Sequence, residues 1–237
     1  MDFLLSIDIH SFTDFINFFI RFLRDTGTVL DEIVNQYDTG IYVLLFVVIF
    51  IETGLVVTPF LPGDSMLFLA GTIAHRPENS LSIVVMIMLL IIAAVLGDAC
   101  NYAIGKFFGK QLFSNPNSKI FKQKYIEKTN KFYEKHGGKT IIIARFVPIV
   151  RTFAPFVAGM GKMKYKRFFS FNIIGGIAWV SSFLLLGYFV GGFKFVQDNI
   201  KYICILIVFL SICPAIYQFF KEKLKMRKEN KKNIAKS

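Results

Sequence analysis

The sequence predicts an all-α integral membrane protein, organised as an inverted repeat with two re-entrant helical hairpins, three full transmembrane spans and interfacial amphipathic helices. Composition comes first: 54% of the 237 residues are hydrophobic and 28 are phenylalanine, more than the core of a soluble domain of this size can hide. Second, apolar stretches of spanning length recur along the chain. Third, two further apolar stretches are broken by charge and proline where a spanning helix is continuous. Residues 51–64 carry Glu52, Pro59, Pro62, Gly63 and Asp64, and residues 145–155 carry Arg145, Pro148, Arg151 and Pro155. Ionisable groups at membrane depth are costly unless they pair or face a wet cavity, so their retention marks a pathway or a binding site.

In chain order, residues 1–40 form an amphipathic N-terminal region. Phe12, Phe15, Ile16, Phe19, Phe22 and Leu23 recur at helical spacing, with Ser11, Asp14, Asn17, Arg21 and Arg24 opposite. This reads either as a helix lying in the membrane interface or as one long helix packed on the bundle. Residues 41–74 follow. Positions 41–58 approach a span, but only about 14 apolar or small residues lie between 61 and 74, short of the roughly 20 that a crossing needs. The segment is therefore expected to be a hairpin turning at residues 59–63, shaped by Pro59, Pro62 and Gly63. Broken backbone at that depth must be sheltered by protein or water.

Residues 81–104 read as the first full span, and residues 119–136 as a second surface helix, with Phe121, Tyr125, Ile126, Phe132 and Tyr133 set among lysines. Residues 141–161 repeat the anomaly of the first hairpin, with Pro148 and Pro155 shaping the tip and Gly159-Met160-Gly161 at the exit. Residues 168–190 and 202–220 supply the other spans, and residues 221–237 a basic tail.

The net charge of +12 is distributed by topology. Residues 1–40 hold seven acids and two bases; residues 105–140 hold nine bases and two acids, and residues 221–237 eight bases and two acids. Lys162, Lys164, Lys166 and Arg167 add a further basic group. Basic blocks beside apolar segments are the pattern of cytoplasmic loops. The expected arrangement puts the N-terminus outside and the C-terminus in the cytoplasm, with anionic lipid headgroups, rather than nucleic acid, as partners of the loops. The start of the chain lacks the basic region and small-residue site of a cleaved signal, so none is expected. Cys100, Cys204 and Cys213 have no metal-ligand spacing.

Function is sought at four charges. Glu52 and Asp64 lie on opposite arms of the first hairpin, where folding brings them to similar depth and equips them to carry protons between faces. Asp64 reads equally as the N-cap of a helix starting at Ser65. Arg145 and Arg151 are six residues apart across Pro148, so a broken helix turns both guanidinium groups into one cavity. Arginine matches phosphate oxygens with paired hydrogen bonds. The plainer alternative is that the two arginines only neutralise Glu52 and Asp64. Asp98 and Asn101 are cavity candidates, although an acid near the end of a span also reaches the interface. His10, His75 and His136 read as solvated, and Gly54, Gly71, Gly97, Gly159, Gly175 and Gly176 as sites of close helix packing. No nucleophile, phosphate-cradling glycine loop or metal-ligand spacing appears, so neither catalysis nor a cofactor or metal is expected.

The runs 52–64, Gly97-Asp98 with Asn101-Tyr102, 132–139 and 144–159 closely resemble the bacterial DedA family. The resemblance covers roughly residues 41–192 and implies a multi-pass protein of the bacterial cytoplasmic membrane, related to eukaryotic VTT-domain lipid scramblases, with two re-entrant hairpins. It also implies that Glu52, Asp64, Arg145 and Arg151 are essential; some members of the family resemble undecaprenyl phosphate translocases and others are tied to proton-motive force and drug or alkaline tolerance, so the resemblance leaves the substrate open. The expectation is thus a proton-coupled translocase of a polyprenyl phosphate or phospholipid, its acids handling protons and its arginines the phosphate. A proton-driven cation or drug antiporter and a non-transporting scaffold are the alternatives, and a homo-oligomer is compatible with each.

Overall fold

The structure is a computed structural model and describes residues 40–55, 63–76, 81–113, 137–161, 163–200, 202, 203, 205–207 and 209. The amphipathic segments expected within 1–39 and at 119–136, Pro59 and Pro62 of the expected hairpin tip, most of the expected third span and the basic tail lie outside these residues.

All regular elements among the described residues are helical: α1 (Gly40–Gly54), α2 (Gly63–His75), α3 (Ile83–Phe113), α4 (Lys139–Ala144), α5 (Pro148–Met160), α6 (Tyr165–Val190) and α7 (Lys194–Asp198). Two of them, α3 and α6, are long and apolar enough to cross a membrane. At 31 residues α3 is longer than the expected 81–104 span; at 1.5 Å per residue it measures about 46 Å, beyond the roughly 30 Å hydrocarbon thickness. Helix α6 begins three residues ahead of the expected 168–190 span. Both expose apolar side chains on one side, including Val84, Met88 and Ile92 on α3 and Ile174, Leu186 and Phe189 on α6. A soluble core helix has no reason to carry such a stripe, whereas lipid covers it.

Antiparallel packing of α3 and α6 follows from which residues meet. Tyr102 stacks on Phe168 with ring centroids 4.5 Å apart, Asn172 Nδ2 donates to the Val95 carbonyl at 3.0 Å, and Leu90, Ala93 and Ala94 share a cluster with Trp179, Val180 and Leu184. The shorter helices run alongside. The Ser82 N–H donates to the Tyr42 hydroxyl at 2.7 Å, and Thr53 lies against Gly97, so α1 tracks the first half of α3. Helix α5 tracks its second half, with Thr152 at Asn101, Phe156 at Gly105 and Met160 at Gly109.

Along α6 the pattern recurs. Gly138 meets Phe171 and Ile142 meets Gly175, so α4 tracks the first half, while Phe68 meets Gly187 and Thr72 meets Gly191, so α2 tracks the second. Each long helix is thus covered by the first short helix of its own half and the second short helix of the other. The closest approaches are reciprocal: Gly71 lies on the Leu184 carbonyl and Gly187 on that of Phe68, while Gly159 lies on the Tyr102 carbonyl and Gly105 on that of Phe156.

Proline behaves differently at its two described positions. Pro148 opens α5 at the first helical position, where its missing N–H costs nothing, and the break before it spans residues 145–147. Pro155, expected at a hairpin tip, instead lies inside α5. It withholds the N–H that would bond the Arg151 carbonyl, and the neighbouring Thr152 carbonyl accepts from Asn101 Nδ2 at 2.7 Å. A side chain from another helix thus bonds the backbone next to the carbonyl that the proline leaves without a helical partner.

Candidate functional site

Charges gather where the breaks of both interrupted pairs meet the middles of α3 and α6. Glu52 lies in the last turn of α1 and Asp64 in the first turn of α2, where a carboxylate suits the positive end of the helix dipole. Asp64 is therefore inside the helix, not ahead of it. The Gly63 N–H, at the start of the same helix, donates to Glu52 Oε1 at 3.1 Å. Arg145 ends α4 at the break, and Arg151 follows in the first turn of α5, its N–H bonded to the Val147 carbonyl at 2.9 Å.

Two clusters result. In the first, Arg151 bridges both acids of α1 and α2: Nη2 donates to Glu52 Oε1 and Nη1 to Asp64 Oδ1 at 2.7 Å. In the second, Arg145 Nη2 reaches Asp98 Oδ2 at 2.5 Å, Asn172 Oδ1 at 2.5 Å and the Ala94 carbonyl at 3.3 Å. Trp179 joins them. Its ring centroid lies 4.9 Å from the Arg151 guanidinium and 5.9 Å from that of Arg145, and its Nε1–H donates to Asp64 Oδ1 at 2.8 Å.

The pairing of both arginines against Glu52 and Asp64 that the sequence suggests holds for Arg151 and is corrected for Arg145. Arg145 turns to Asp98, because α4 runs along α6 and opens onto α3 at Ala94 and Asp98. Asp98 is thereby a partner in an ion pair instead of an acid at the interface. Asn101 bridges backbone, donating to the carbonyls of Thr53 at 3.1 Å and Thr152 at 2.7 Å, and so ties a helix discontinuity in each half to α3.

Sequence reasoning missed Asn172 and Trp179, both fully buried. The available signal was their seven-residue spacing on α6 with Gly176 between them, which places all three on one helix face. Among the described residues the buried charges are Glu52, Asp64, Asp98, Arg145 and Arg151, three acids against two bases. Glu52 Oε2 and the Nε of each arginine are buried without a hydrogen-bond partner, so the cluster keeps polar capacity that its internal pairing does not use.

Described residues whose regular elements are all helical, with two helices fit to cross a membrane, lipid-suited outer faces and a charged centre, define a membrane protein. A VTT domain matches residues 61–189. The chain is 54% identical over 210 residues to Protein DedA of Escherichia coli, covering 89% of this chain and 96% of that protein. It is 44% identical over 172 residues to an uncharacterized membrane protein of Mycobacterium tuberculosis, covering 73% of this chain and 75% of the relative. With inner membrane protein YqjA of Escherichia coli it shares 34% identity over 151 residues, 64% of this chain and 68% of that protein. No solved structure matches. The chain belongs to the DedA family of VTT-domain membrane proteins, and the names of its relatives accord with a bacterial inner-membrane location.

Proposed function

We propose that the chain is a proton-coupled translocase of a phosphorylated lipid, with undecaprenyl phosphate as the cargo to test first. The observation that carries this reading is Arg151, a buried guanidinium shared by two carboxylates from different helices. Breaking such a group out of a paired site is costly unless another anion replaces the carboxylates, and a phosphate matches the guanidinium fork with two parallel hydrogen bonds.

On this reading α1–α2 and α4–α5 are re-entrant pairs, each entering and leaving on one side, and the two halves are related as an inverted repeat. The antiparallel course of α3 and α6 and the reciprocal glycine contacts support it. Midplane sites built from broken helices are the usual arrangement of secondary transporters. The headgroup takes Arg151, and Glu52 and Asp64 accept protons as they lose it. The formal excess of one acid over the bases gives a single proton a place in the resting site. The lipid tail stays in the bilayer throughout, and basic residues beside the spans hold anionic headgroups.

The test is headgroup movement in liposomes carrying labelled undecaprenyl phosphate, with and without a pH gradient. Lysine at 151 keeps the charge and loses the fork. Arg151→Lys and Glu52→Gln are each expected to slow movement by at least roughly ten-fold, the scale of one hydrogen bond to a charged group. Equal rates in all three proteins overturn the reading and leave a scaffold; loss in Glu52→Gln alone leaves a proton-driven cation or drug antiporter.

A further inference from the structure

The geometry points to Trp179 as the positioning residue that lets Arg151 leave Asp64 for an anion without stripping the carboxylate of its donors. This rests on the anion-binding reading above and adds the device that makes the exchange affordable. Asp64 Oδ1 accepts two of its hydrogen bonds from groups of different kinds: Arg151 Nη1 at 2.7 Å and Trp179 Nε1 at 2.8 Å. The guanidinium is a cation that an anion can compete for. The indole N–H is a neutral donor fixed on α6, with no attraction for a phosphate comparable to that of an arginine.

Glu52 is arranged in the same way, its Oε1 accepting both Arg151 Nη2 and the Gly63 backbone N–H at 3.1 Å. Each acid that holds Arg151 therefore has a second, uncharged donor that stays when the guanidinium turns. A buried carboxylate left with no donor is penalised heavily, so these two N–H groups lower the barrier to lending out the arginine. The indole ring completes the device. It lies against the guanidinium groups of both arginines, and a π-face holds a cation without claiming its N–H groups. Arg151 can thus keep its position over the ring while its donors turn to a phosphate. Trp179 is fully buried and flanked on its helix by Gly175 and Gly176, where an added Cβ would come within 3.0 Å of Arg145 Cδ and Val95 Cγ2 respectively. Buried between these contacts, the ring directs its N–H at Asp64.

The test uses the full-length protein in detergent with dodecyl phosphate as probe. Trp179→Phe keeps an aromatic face and loses the N–H; dodecyl phosphate affinity is expected to fall on the order of ten-fold, the value of one hydrogen bond to a charged group. In an Asp64→Asn background Glu52 still competes for the arginine, but the indole N–H no longer has an ionised carboxylate to support, and the same substitution is expected to leave affinity unchanged. An equal loss in both backgrounds makes the role merely structural and overturns the proposal. A measurement on the unaltered protein guards against misfolding of the variant: the chain has one tryptophan, hence one indole N–H resonance. That resonance is expected to keep its hydrogen-bonded, downfield position when dodecyl phosphate is added, and its return to the free indole position overturns the proposal. Absence of dodecyl phosphate binding to the wild type removes the anion reading and this inference together, whereas binding that is indifferent to Trp179→Phe removes this inference alone.

Discussion

At residue 145 a guanidinium is surrounded by one carboxylate, one side-chain amide and one backbone carbonyl, and removing the carboxylate leaves a cation in the protein interior. Asp98→Ala is expected to destabilise the protein by about 3–5 kcal/mol, the usual cost of orphaning one member of a buried pair. Combining it with Arg145→Met removes both charges and is expected to recover most of that loss. Thermal unfolding in detergent checks both, and equal melting temperatures for Asp98→Ala and wild type would show that the pair contributes nothing. The four charges first singled out were legible because ionisable residues inside apolar runs are rare and expensive. The pairing of Arg151 with Glu52 and Asp64 was legible in the same way; that of Arg145 with Asp98 was not, since it depends on which helix crosses which. Asn172 and Trp179 escaped notice for a related reason: within an apolar helix, each reads as a packing residue until its hydrogen-bond partner is known.

At the scale of elements, the interruptions were legible and their consequences only partly so. The break before Pro148 follows from the fixed φ and missing N–H of proline; Pro155 carries the same chemistry, yet α5 continues through it, and Asn101 from α3 bonds the carbonyl of Thr152 beside the one that the proline leaves without its N–H. Glycine tells a similar story. Gly71 and Gly159 were expected at close contacts, but their counterparts Gly187 and Gly105 become visible only once α2 is seated on α6 and α5 on α3. A Cβ at any of these four positions would strike a backbone carbonyl of the facing helix. Alanine at each is therefore expected to destabilise by roughly 1–3 kcal/mol, the range for overpacking, despite its better helix propensity. Gly54→Ala is the control, because its Cβ would sit 3.5 Å from Gly97 Cα in ordinary contact. Denaturation of the five single variants in detergent checks the contrast, and an equal response at Gly54 and Gly71 would contradict the close-packing account.

For the whole molecule, the exchange of short helices between halves decides what counts as a folding unit. Helices α1–α3 do not complete their own packing, since α2 lies along α6; α4–α6 do not either, since α5 lies along α3. The charged centre is divided in the same way, with the three acids in the first half and both arginines and Trp179 in the second. Either half alone would carry buried charge of one sign without its counterpart, at a cost of several kcal/mol per ion. Cutting the chain between α3 and α4 is therefore expected to give two fragments that are each degraded when expressed singly and that accumulate and co-purify when expressed together. Co-purification tracks the central charges: Arg151→Ala in the second fragment is expected to weaken recovery of the first, because Glu52 and Asp64 then share a buried site without the cation that joins the halves. Stable accumulation of residues 1–113 by themselves would mean that the first half closes its own core, and the division of the site between halves would then no longer explain why they stay together.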